Sequence, residues 1–105
     1  MSIVYLIREP ALHRDIRIAE NFGEVHCCLK SDESQLGVGM IMNRLRSTLK
    51  NFKEGEDYIL WAGGEWQIVL ALGVVMKEYN FRTVDLLVWK KTSGVGSYVP
   101  QRLVL

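Results

Sequence analysis

The stretch DYILWAGGEWQIVLALGVVMKEYNFRTVDLLVW, residues 57–89, carries the reading on which the fold depends. Asp57 to Ala62 and Thr83 to Trp89 are continuous apolar runs, the pattern of strands covered on both faces. Gly63-Gly64 turns the chain, and Glu65 to Tyr79 reads as a helix with Gly73 in its middle. Its apolar residues Ile68, Val69, Leu70, Leu72, Val74, Val75 and Met76 exceed what one stripe of about 100° holds. Such a helix is buried on most sides, in its own core or against a partner. Strand, crossover helix and strand together predict a right-handed parallel βαβ unit.

Downstream, Lys90 to Ser97 reads as a Gly/Ser-rich turn, and Tyr98 to Leu105 as a final antiparallel strand whose Pro100 suits a sheet edge. Upstream, Val38, Ile41, Met42, Leu45, Leu49 and Phe52 fall on one helical face. Asn43, Arg44, Arg46, Ser47 and Lys50 fall on the other, and Gly55 lies just past the end. Ser31 to Ser34 carries helix-start chemistry. Ser2 to Ile7, the alternating Ile16 and Ile18, and Glu24 to Leu29 read as three strands of an antiparallel meander. The expected fold is α/β (α+β): one domain, residues 1–105, with a mixed, mostly antiparallel sheet of five or six strands. Two helices and one βαβ unit complete it.

Composition excludes several classes. Hydrophobic residues make 49% of the 105 and charged ones 24%, which excludes disorder and coiled-coil chains. A net charge of +1 lacks the basic excess of a dedicated nucleic-acid binder. No run approaches the ~18 apolar residues that span a bilayer, so no membrane role is expected. Cys27 and Cys28 are adjacent and ill-suited to an intrachain disulfide, which points to reduced thiols and the cytoplasm.

The chemistry-bearing candidates are few. Gly63-Gly64, between a strand and a helix start, is placed to offer backbone N–H groups to an anion. Neither a dinucleotide nor a P-loop fingerprint accompanies it, and Glu65 repels a phosphate, so a plain tight turn is the preferred reading. His26-Cys27-Cys28 puts only two potential ligands on one strand face; zinc needs four, with His13 at best a distant third. Core packing explains the cysteines better, and no metal or cofactor is expected. A Cys28–His13 dyad has nothing local to fix its geometry. Asp85, inside an apolar strand, is a candidate for a shifted pKa but reads more simply as structural. Arg44, Arg46, Lys50 and, nearby, Lys53 mark the first helix, and Lys90 and Lys91 open the last hairpin. If these surfaces coincide they form a phosphate-binding patch.

Trp61, Trp66 and Trp89 are many for so small a chain, and Trp66, just after the turn, is the one expected outside the core. With the all-apolar helix they predict more apolar surface than one core hides, and hence a homodimer. Leu103-Val104-Leu105 offers an apolar edge as a second route to pairing.

Asp57-Tyr58-Ile59-Leu60, Gly63-Gly64, Leu70-Ala71-Leu72, Leu86-Leu87-Val88-Trp89-Lys90 and Tyr98-Val99-Pro100 carry a further signal. In this order they resemble a pattern of small bacteriophage-encoded α/β proteins of unknown function, over residues 57–105. The resemblance implies a phage or prophage accessory protein, in the host cytoplasm, with no catalytic residues to carry over. The expected function is non-catalytic binding of a host or phage protein, supported by the surplus of large aromatics, with Gly63, Gly64, Trp66, Arg44, Arg46, Lys50, Lys90 and Lys91 as the candidate ligand- or partner-binding residues. Two alternatives stand beside it: a nucleic-acid-binding regulator using the basic first helix with Lys90-Lys91, and a nucleotide or phosphorylated-ligand enzyme centred on Gly63-Gly64.

Overall fold

A computed structural model describes residues 2–9, 16–30, 36–62 and 65–105. Strands β1 (Ile3–Arg8), β2 (Glu24–Leu29), β3 (Tyr58–Trp61), β4 (Thr83–Thr92) and β5 (Val95–Val104) form one sheet in the order β2-β1-β3-β4-β5. A 3-10 helix, Ile16–Phe22, joins β1 to β2; α1 (Val38–Leu49) joins β2 to β3, and α2 (Glu65–Tyr79) joins β3 to β4. The α/β class and the five-stranded mixed sheet agree with the sequence reading.

Strand polarity corrects it. The β1–β2, β1–β3 and β3–β4 pairs are parallel, and only β4–β5 is antiparallel. The expected meander fails because β1 and β2 pair in parallel, which needs a crossover connection rather than a tight turn, and the 3-10 helix Ile16–Phe22 forms the described part of it. Ile16 and Ile18 are not on a strand: within the 3-10 helix, Ala19 is buried and Ile18 and Phe22 pack beside it. That spacing of one, then three, is helical; the alternation of two isoleucines was too short a sample. Two crossovers over helices, not one, link parallel strands on the α1/α2 side.

Alternate residues divide the core between the two sheet faces. Tyr5, Ile7, Ile59, Val84 and Leu86 meet Ile41, Leu45 and Leu49 of α1 and Ile68, Ala71, Val74 and Val75 of α2. Val4, Leu6, Leu60, Leu87 and Tyr98 meet Ala19 on the other face. Placing the first crossover on one face and the later two on the other keeps the connections right-handed as the chain reverses its direction across the sheet.

The predicted Lys90–Ser97 turn is instead a two-residue one. Thr92 pairs with Val95, and Ser93 (φ 52°) and Gly94 (φ 80°) supply the two positive φ angles of a type I′ hairpin. β3 stops pairing at Trp61↔Val88, whereas β4 and β5 continue from Trp89↔Tyr98 to Thr92↔Val95. The hairpin therefore runs about 13 Å past its neighbour, at ~3.3 Å per residue. Gly96 is required there, because a Cβ at that position would enter the Trp89 indole. Trp89 in turn packs edge-on against Tyr98, centroids 4.9 Å apart.

Candidate functional site

Parallel strands give the sheet two unlike ends, and the candidate residues divide between them. At the carboxyl end lie Arg8, Ala62, the first turn of α2 with Trp66 and Gln67, and the projecting hairpin with exposed Lys90 and Lys91. Gly63 and Gly64 lie outside the described residues, as do His13 and Ser31 to Ser34. At the amino end the last turn of α1 leads through exposed Lys50 into an open hollow of about 450 Å³ lined by Ile3, Lys50, Asn51, Phe52, Lys53 and Asp57. Lys50 and the Lys90-Lys91 pair thus stand at opposite ends of the sheet, and the fold does not join them into one basic surface. Arg46, on α1, is engaged: its Nε donates to Glu78 Oε1 of α2 at 2.5 Å and its Nη1 to Asn43 Oδ1. Arg44 shares the exposed side of α1.

The amino end is stitched by two carboxylates that sequence reasoning did not single out. Asp57, 1% exposed, accepts from Ile3 N through Oδ1 and from Lys53 N through Oδ2, both at 2.8 Å. Glu54 Oε2 accepts from Thr83 N and Arg82 N. Those backbone N–H groups, Thr83 first, hold the Glu54 carboxyl below the ordinary glutamate range. Both residues lie in the polar segment Lys53–Asp57, where the sequence signal is three acidic residues, Glu54, Glu56 and Asp57, just before an apolar strand. Asp85 is structural too: it sits opposite Arg102 in the β4–β5 register and receives Nε at 2.8 Å and Nη2 at 3.2 Å. Asp85 raises the Arg102 pKa, its hydrogen bond most and its charge next.

Cys28 is poorly suited to act as a nucleophile. Cys28 is buried against α1, and that burial pushes its thiol up to about 12, so the reactive thiolate is absent near neutral pH. Cys27 is exposed and its Sγ donates to Leu29 O. His26 stacks edge-on against Tyr5 and lies 3.4 Å from Glu24 Oε1. No group of three potential metal ligands occurs among the described residues.

What remains is α2. Its inner face, Gln67, Ile68, Ala71, Val74 and Val75, is fully buried. Its outer face carries Trp66, Val69 and Met76, which are 47%, 60% and 41% exposed, with exposed Gly73 between them. Trp61 and Trp89 pack on the two cores, so Trp66 is the tryptophan left outside. Val69 and Met76 escaped notice as surface residues because a helix apolar all round gives no contrast from which to choose the wet side. Two buried polar atoms at the carboxyl end, Arg8 Nε and Gln67 Oε1, have no hydrogen-bond partner among the described residues.

Fold and surface together define a small, mostly parallel, doubly wound α/β protein that carries an apolar helix face among its exposed surfaces. Over residues 2–104 the chain matches the model of the family described as Phage Pam3 gp32-like protein, and it belongs to that family. The phage character that residues 57–105 suggest thereby extends to the whole length. No curated protein and no solved structure matches the chain. No helix among the described residues is long and apolar enough to cross a membrane.

Proposed function

We propose that this phage protein is a non-catalytic accessory protein that acts by binding another protein, through the outer face of α2. The observation that carries the reading is the exposure of Trp66, Val69 and Met76 on one side of a helix whose other side is already packed. An isolated apolar side chain at a surface is ordinary; three large ones on one helical face are the signature of a contact surface. Trp66 is its natural anchor, because tryptophan is enriched among the residues that dominate binding energy. A photo-crosslinking residue at position 69, in phage-infected cells, is expected to give discrete protein adducts that Trp66→Ala weakens. Absence of any adduct from a functional variant overturns the reading.

One specific observation favours a second reading, a phosphorylated-ligand or nucleotide site. The strand order reverses between β1 and β3, and doubly wound sheets bind ligands beyond the carboxyl ends of the strands at that point. Arg8 closes β1 there, and β3 ends and α2 begins at the same end of the sheet. Arg8 Nε and Gln67 Oε1, without a hydrogen-bond partner among the described residues, supply a donor and an acceptor. Thermal-shift screening with nucleotides discriminates: a ligand at 100 times its Kd stabilises by about 2.7 kcal/mol. A saturable shift that Arg8→Ala abolishes supports this alternative; no shift with any nucleotide leaves the protein-binding reading.

A further inference from the structure

We propose that the partner seated on the outer face of α2 is a second copy of this chain, packed antiparallel about residue 71. The inference rests on the protein-binding reading of that face and specifies its occupant. Trp66, Val69, Gly73 and Met76 recur at intervals of three, four and three, the a/d spacing of helices that pair along a seam. Turned end for end about residue 71, this stripe superposes on its own complement. Trp66 then faces Met76 of the second copy, and Val69 faces its Gly73. The space above Gly73 is open, with nothing within 4 Å of where a Cβ would stand, so it forms the recess that the Val69 side chain fills. Half-buried Leu70 and Leu72 flank the seam on either side and would each lie near their own symmetry mates.

Charge selects the same arrangement. The aligned peptide dipoles of α2 leave a positive amino end and a negative carboxyl end. An antiparallel partner brings unlike ends together; a parallel one brings like ends together and aligns the helix dipoles unfavourably. Lys77, on the Trp66 side of the stripe, then reaches the indole of the second copy, a cation–π contact made twice by symmetry. Area sets the strength. A 15-residue helix is about 22 Å long, and two such faces stay below the ~1,200–2,000 Å² of stable specific interfaces. The dimer is therefore concentration-dependent.

The expected result in sedimentation equilibrium is a mass rising from 12.0 kDa towards twice that value as concentration increases, over roughly the micromolar to millimolar range. Val69→Glu is expected to hold the mass at that of one chain, with unchanged circular dichroism and urea midpoint. Register is read by disulfide trapping in a Cys27→Ser background. A mixture of Val69→Cys and Gly73→Cys chains is expected to cross-link at least ~10-fold more than either alone, because only facing positions bring Cα atoms within ~7 Å. A single-chain mass at every concentration overturns the inference, as does a dimer that Val69→Glu leaves intact or equal trapping of the single variants. If the chain stays monomeric while position 69 cross-links to other proteins, the second-copy proposal falls and the protein-binding reading stands.

Discussion

Asp57 and Glu54 are three residues apart in the loop between α1 and β3, and each fastens a different strand. Asp57 receives the first N–H of β1, and Glu54 receives the N–H groups that open β4. Removing the buried Asp57 carboxylate orphans two backbone donors at once. Asp57→Ala is expected to cost about 2–6 kcal/mol in urea unfolding, from an unsatisfied-donor penalty of ~1–3 kcal/mol for each of the two donors. Glu54 adds a pH dependence. Its folded pKa lies below its unfolded one, so its contribution is complete above the ordinary glutamate value and fades as pH falls through the depressed one. The urea midpoints of wild type and Glu54→Gln are therefore expected to differ at pH 7 and to converge in acid. A constant difference at all pH values would contradict the charge-assisted bonds. Neither role was legible in the sequence, because a carboxylate's partner here is a backbone group 28 or 54 residues away.

Among the elements, α2 was the most legible in extent and the least legible in orientation. Its range, Glu65–Tyr79, follows from the Gly-Gly pair that precedes it in the sequence and the end of the apolar run after it. Which side faces water does not follow, since Val69 and Val75 are equivalent in sequence and opposite in place. Val75 is fully buried and Val69 is 60% exposed. Val75→Glu is therefore expected to abolish cooperative folding, losing more than about 3 kcal/mol for an unpaired buried charge. Val69→Glu is expected to stay within ~0.5 kcal/mol of wild type in dilute solution. Comparable melting temperatures for the two would refute the assigned face. The β4–β5 hairpin depends on a missing side chain: Gly96→Ala forces the Trp89 indole aside. The expected loss is about 1–3 kcal/mol, with a shift in tryptophan emission that reports the displaced ring. Ser93→Asn, matching the Asn-Gly preference of a type I′ turn, is expected to leave stability equal or raise it.

At the scale of the whole molecule, the apolar runs Tyr58–Trp61 and Thr83–Trp89 with the helix between them determined that this is an α/β chain with a parallel unit. The inner face of the first helix was equally readable, since Ile41, Leu45 and Leu49 repeat at helical spacing and are buried, but its start was not: the N-cap is Gly37, and Val38, expected on that face, is 58% exposed. The resemblance to phage proteins was readable too, because it follows residue order. These are properties of neighbours along the chain, and period and propensity record them directly. The polarity of β1 and β2, the pairing of Asp85 with Arg102 and the separation of Lys50 from Lys90-Lys91 are properties of neighbours in space. Only the tertiary structure decided those. A strand's own residues carry no mark of the direction of the strand beside it. A crossover chooses its face by the handedness of the whole path, and a charged residue reaches one end of the sheet or the other according to the element that carries it.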